Sequence, residues 1–65
     1  MENQPSVQSL ERAFDLIERL SSSSGGMLLM ELSAASGLHK STVHRLLSTL
    51  AALGYVKKDE GSNKY

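Results

Sequence analysis

The sequence predicts a mainly α domain, three helices followed by a two- or three-stranded antiparallel sheet, and three observations carry that expectation. Apolar residues recur at spacings of three and four over Leu10 to Leu20 and again over Val43 to Leu53, the helical period. Gly37 separates the second stretch from a shorter helical one just before it, leaving space only for a tight turn. Beyond Gly54 the pattern changes to aromatic and β-branched residues, then to a turn cluster.

With 65 residues the chain makes one domain at most, with a modest core. It has no cysteine, which excludes disulfides and thiolate zinc sites. The two histidines, His39 and His44, fall about 140° apart around a helix, poor geometry for a shared metal, and no cofactor is expected. The longest apolar run, Met27-Leu28-Leu29-Met30, is far too short for a bilayer, and no signal peptide is visible. The expected compartment is the reduced cytoplasm.

In chain order, residues 1–8 are polar, hold the only proline (Pro5) and read as a flexible arm; the domain proper is expected over 9–65. Ser9 reads as the N-cap of a first helix running to about Leu20 or Ser21. Leu10, Ala13, Phe14, Ile17 and Leu20 form its inward stripe, and Leu16 widens that stripe, as extra core in preference to a partner-helix contact. Glu11, Arg12, Asp15, Glu18 and Arg19 make a solvated outer face, with Asp15 and Arg19 at the favourable i, i+4 spacing. The serine run 21–24 with Gly25 and Gly26 reads as a flexible connector; without a GK[ST] sequence or a preceding strand it is no phosphate loop.

Met27-Leu28-Leu29 is a short strand or the start of the next helix. A second helix is expected from about Met30 to Ser36, with Leu32 and Ala35 inward; Gly37 stops it and Leu38 plugs the corner. The main helix, about 39–53, turns Val43, Leu46, Leu47, Leu50 and Leu53 inward. Ser41, Arg45 and Ser48 point the other way, flanked by His44 and Thr49. After Gly54, Tyr55-Val56-Lys57-Lys58 reads as a strand, 60–63 as a turn, and Lys64-Tyr65 as the returning strand. A hairpin directly after two helices joined by a glycine turn is a winged helix-turn-helix. A chain that stops just inside a strand is expected to be part of a longer one.

Net charge is zero but unevenly spread. Residues 1–31 hold five acids against two arginines, a balance of −3; residues 32–65 hold five cations against two acids, +3, with no acid between Glu31 and Asp59. Phosphate binding depends on where cations cluster, so this polarity suits double-stranded DNA. Lys40, Ser41 and Thr42 occupy the first turn of the main helix, which meets bases and phosphates when such a helix enters the major groove. Capping and solvation are their alternative use. Arg45 suits two hydrogen bonds to guanine, with a phosphate contact or a plain surface arginine as alternatives, and His44 suits a base edge or phosphate. Lys57, Lys58 and Lys64 suit phosphates, or else keep an edge hairpin soluble.

An enzyme is not expected. Ser41 and His44 are three apart, but no nearby acid orients the imidazole and the chain is too short to enclose a substrate. The rival reading is a winged helix used for protein contact. That role favours large exposed apolar groups on the main helix, where this one shows Ser41, His44, Arg45, Ser48 and Thr49.

Residues 7–13 (VQSLERA), Leu29-Met30-Glu31-Leu32-Ser33, and 37–47 (GLHKSTVHRLL) followed by Leu50 and Leu53-Gly54-Tyr55-Val56 resemble the IclR family of bacterial transcriptional regulators. The resemblance covers about Val7 to Tyr65. It implies an N-terminal winged helix-turn-helix domain, a C-terminal effector domain for a small metabolite that this sequence lacks, and homodimers or tetramers on palindromic operators. His39 departs from the pattern, standing where a serine N-cap is expected.

Overall fold

The computed structural model describes residues 7–65. Three helices form: α1 (Gln8–Ser21), α2 (Leu29–Ser36) and α3 (Lys40–Ala52). Each lies within one or two residues of its sequence expectation. The expected arm lies outside the described residues except for Val7 and Gln8, and Gln8 already belongs to α1.

Ser9 is not the N-cap of α1. Val7 takes that position, its carbonyl accepting from Leu10 N–H at 3.0 Å and Glu11 N–H at 3.1 Å, and Ser9 sits exposed in the first turn. At the other end the serines do more than connect. Ser21 Oγ donates to the Ile17 carbonyl at 3.1 Å and Ser22 Oγ to the Glu18 carbonyl at 2.8 Å, satisfying last-turn acceptors. Arg19 Nε meets Asp15 Oδ2 at 2.9 Å, the expected i, i+4 pair.

The core consists of Leu16, Leu32, Val43 and Leu47, all at 0% exposure, with Leu50 at 7%. All three helices therefore contribute to one cluster, and Leu20, Met27, Leu29, Leu38, Leu46, Val56 and Tyr65 pack around it. Burying one such aliphatic side chain contributes about 1.5–3 kcal/mol. Among the described residues no polar or charged side chain is buried.

The inward direction of α1 differs from expectation. Leu16 is its fully buried residue, while Leu10 is 55% and Phe14 56% exposed. Taking about 100° per residue, the apolar arc from Leu16 through Leu20, Ala13, Ile17 and Leu10 to Phe14 covers about 160°. Two neighbouring helices cover only the Leu16 end. Ala35 is also exposed, because Leu29 and Leu32 set the inward side of α2 and Ala35 lies beyond Leu32. Leu53 is outside as well, at 65%, since α3 ends before it.

Between α2 and α3 the chain turns in three residues, Gly37-Leu38-His39. Gly37 adopts φ +76°, the left-handed conformation that ends α2. Two serines of α2 clamp the turn: Ser33 Oγ donates to the Leu38 carbonyl at 2.6 Å, and Leu38 N–H donates to Ser36 Oγ at 3.3 Å. Gly54 closes α3 in the same left-handed way, with Gly54 N–H to Ala51 O and Tyr55 N–H to Leu50 O, the paired bonds of a Schellman cap.

The expected sheet is reduced to a bridge. No strand forms among the described residues, and 55–58 make no ladder; Leu28 and Lys64 pair antiparallel. Met27 and Tyr65 exchange both backbone bonds, at 3.1 and 2.8 Å, so Met27–Leu28 is strand-like before α2 begins at Leu29. Lys64 and Tyr65 return past the turn, with Asp59 N–H donating to the Lys64 carbonyl at 2.8 Å. Gly26 makes the close approach possible: at φ +82°, a Cβ there would stand 2.5 Å from the Tyr65 carbonyl oxygen.

Two pairs of substitutions test this packing by thermal unfolding. Leu16→Ala should cost about 2–5 kcal/mol, while Phe14→Ala should cost far less. Gly26→Ala should cost about 1–3 kcal/mol through left-handed strain and the Tyr65 clash, with Gly25→Ala, which meets nothing within 4 Å, close to neutral.

Candidate nucleic-acid interface

The outward side of α3 follows from its inward side. With Val43, Leu47 and Leu50 in the core, Lys40, Ser41, His44, Arg45, Ser48 and Thr49 are all exposed. Thr42 is half-buried, on the flank nearest α1. His39 caps α3 with its backbone only, its carbonyl accepting from Val43 N–H at 3.0 Å and its side chain making no capping bond. The remaining first-turn N–H groups therefore have no side-chain acceptor from the N-cap, an arrangement that favours an anion.

Three depressions border this face. Lys40 and Ser41 share one with Ser33, Gly37, Leu38 and His39, at the turn. His44 and Lys58 share a second, walled by Leu28, Leu29, Met30, Asn63 and Tyr65, so the flank of α3 and the 55–65 segment meet there. Thr42, Arg45, Leu46 and Thr49 share a third with Ser9 and Arg12 of α1. The first-turn residues, His44 with Lys58, and Arg45 with Thr42 are thus brought together. Lys57, Lys58 and Lys64 gather in a separate depression beside Gly25, Gly26 and Asp59.

The lysine segment is held by its turn. Asp59 accepts from Ser62 N–H at 2.9 Å and Ser62 Oγ at 2.6 Å, both through Oδ2. Its carbonyl accepts from Asn63 N–H at 2.7 Å, and its N–H donates to the Lys64 carbonyl at 2.8 Å. The Ser62 hydroxyl, then the Ser62 backbone N–H, hold the Asp59 carboxyl below the ordinary aspartate range. Lys58 Nζ lies 5.9 Å from the centre of the Tyr65 ring, within cation–π range. The carboxylate that lines the same depression as the three lysines is thus engaged by its own turn.

Sequence reasoning missed Arg12 and Ser9, placed on a solvated face and at a cap. Only the packing of α1 against α3 brings them beside Arg45, and nothing in the local pattern of α1 signals it. Ser33 and Ser36 were also unread. Serines just before a turn glycine are a usable signal for side chains that bond backbone locally.

A family model described as the IclR helix-turn-helix domain matches residues 9–60. The chain is 44% identical over 52 residues to the transcriptional repressor IclR of Escherichia coli, covering 80% of this chain and 19% of that protein. It is 48% identical over 58 residues to the DNA-binding transcriptional repressor YiaJ of Escherichia coli, covering 89% of this chain and 21% of that protein. With the glycerol operon regulatory protein of Streptomyces coelicolor it shares 36% identity over 59 residues, 91% of this chain and 23% of that one. The chain therefore spans about a fifth of the length of these relatives. No solved structure matches it significantly.

The Asp59 turn gives a pH test. A depressed carboxyl contributes stability that is present above its unfolded value and lost as pH falls through the folded one. An NMR titration of the Asp59 side chain should show its midpoint below that of an ordinary aspartate, and Ser62→Ala should move it upward.

Proposed function

The chain belongs to the IclR helix-turn-helix family, and on that premise we propose that it is the operator-binding domain of a bacterial transcriptional regulator. Helix α3 enters the major groove of double-stranded DNA. Lys40, Ser41 and Thr42 meet bases and phosphates through its first turn, Arg45 reads a guanine, and His44 reaches a base edge or phosphate. Lys57, Lys58 and Lys64 hold phosphates beside the groove and position the domain without reading sequence. The Leu28–Lys64 bridge supports reading residues 55–65 as a wing, the first rung of a two- or three-stranded antiparallel sheet.

One observation carries this reading. The exposed side of α3 presents a lysine, an arginine, an imidazole and hydroxyls, in a stretch from Leu32 to Lys58 that contains no acid. In the longer protein the domain works in the cytoplasm as a homodimer or tetramer on a palindromic operator, and a segment outside this sequence binds the small-molecule effector. Two copies reading two half-sites offset the weak hold of a small neutral domain. The function is binding, not catalysis.

The rival use, a protein-contact module, draws support from Val7, Leu10 and Phe14, exposed at 60%, 55% and 56%. These lie on α1 and its N-cap and leave the face of α3 polar, so they add a contact surface without replacing the DNA reading.

Selection from a pool of random-sequence duplexes, followed by fluorescence anisotropy at low and moderate salt, tests the proposal. Affinity should fall steeply with salt. Arg45→Ala should lose about 1–3 kcal/mol of preference at one base position, whereas Lys58→Ala should weaken all sequences alike. Salt-independent binding would overturn the reading. Identical behaviour of the two variants would overturn the assigned roles.

A further inference from the structure

We propose that the cleft between α1 and α3 seats a backbone phosphate of the DNA, gripped by Arg12, so that α1 is a second DNA-contacting helix. The proposal rests on the DNA-binding reading above and deepens it. Arg12 and Ser9 come from the first turns of α1; Thr42, Arg45, Leu46 and Thr49 come from α3. Two guanidinium groups thus border one depression with no carboxylate among its lining residues. Like charges sharing a cleft are unfavourable until an anion enters, and the planar fork of arginine matches a phosphate's oxygens.

The other arginine of α1 shows the contrast. Arg19 is held by Asp15 at 2.9 Å, its charge engaged within its own helix. Leu46, packed against the core, forms the apolar floor between the exposed arginines. The hydroxyls divide their work. Thr49 Oγ1 donates to the Arg45 carbonyl at 3.1 Å, whereas those of Ser9 and Thr42 have no hydrogen-bond partner among the described residues. Both can donate to a phosphate oxygen. Such a contact beside Arg45 fixes how α3 is rotated in the groove, so Arg12 positions the reading helix and carries no sequence preference itself.

The test measures affinity of the chain for a selected duplex and for an unrelated duplex across a range of salt, for wild type, Arg12→Gln and Arg12→Lys. Circular dichroism melting checks that each variant folds, as expected for an exposed side chain. Arg12→Gln should reduce the slope of log affinity against log salt by about 0.9 on both duplexes, so its deficit shrinks about 3.5-fold between about 50 and 200 mM salt. Arg12→Lys should weaken binding yet keep the wild-type slope. An unchanged slope in Arg12→Gln, with wild-type DNA still bound, overturns the cleft and leaves the DNA reading standing. Salt-independent binding by wild type overturns both. Inorganic phosphate is the remaining arm. Saturable binding of it that Arg12→Gln abolishes, with no change in the DNA slope, identifies a free-anion site and overturns the DNA assignment.

Discussion

Everything in this domain depends on one cluster of four aliphatic side chains, Leu16, Leu32, Val43 and Leu47, drawn from all three helices and closed completely to solvent. Among the described residues this is the one buried cluster. The cluster sets the rotation of α3, because Val43 and Leu47 can reach it from one side only. What α3 shows to solvent is thus a consequence of what it hides. The same four residues fix α1 beside α3, which brings Arg12 to Arg45 across a cleft that neither helix has alone.

The helices and the turn were legible in the sequence because their signals are local and redundant. Apolar spacing marked α3, and Gly37 marked its start with a left-handed corner that the structure adopts. The rotation of α1 was not legible. Its apolar arc spans about half the helix surface, so the pattern states how much could be buried without stating which part is. Only the positions of α2 and α3 select the Leu16 end. The serine run connects as expected, but its composition hid a second role. Its composition suggests a flexible linker, yet hydroxyls placed just past a helix end have open carbonyls within reach.

Of the candidate interface, the α3 residues were readable from the face they share, and the exposed set matches it apart from the half-buried Thr42. The cleft was not, since it joins residues from two helices far apart in sequence. The segment 55–65 lies between these cases. Its turn chemistry was visible in the Gly-Ser-Asn cluster, and Asp59 and Ser62 build the turn. Its strand propensity was visible too. A strand needs a partner of similar length, and propensity alone says nothing of whether one is present.

The absence of any buried polar or charged side chain among the described residues has a further consequence. Among the described residues no titratable side chain is buried, so pH acts on them through exposed and half-buried groups such as Asp59. The electrical face offered to a partner can be retuned by substitution or by the surrounding medium, while the oily fastening underneath stays as it was. Substitutions on the exposed face of α3 can therefore retune recognition without touching the four-residue core.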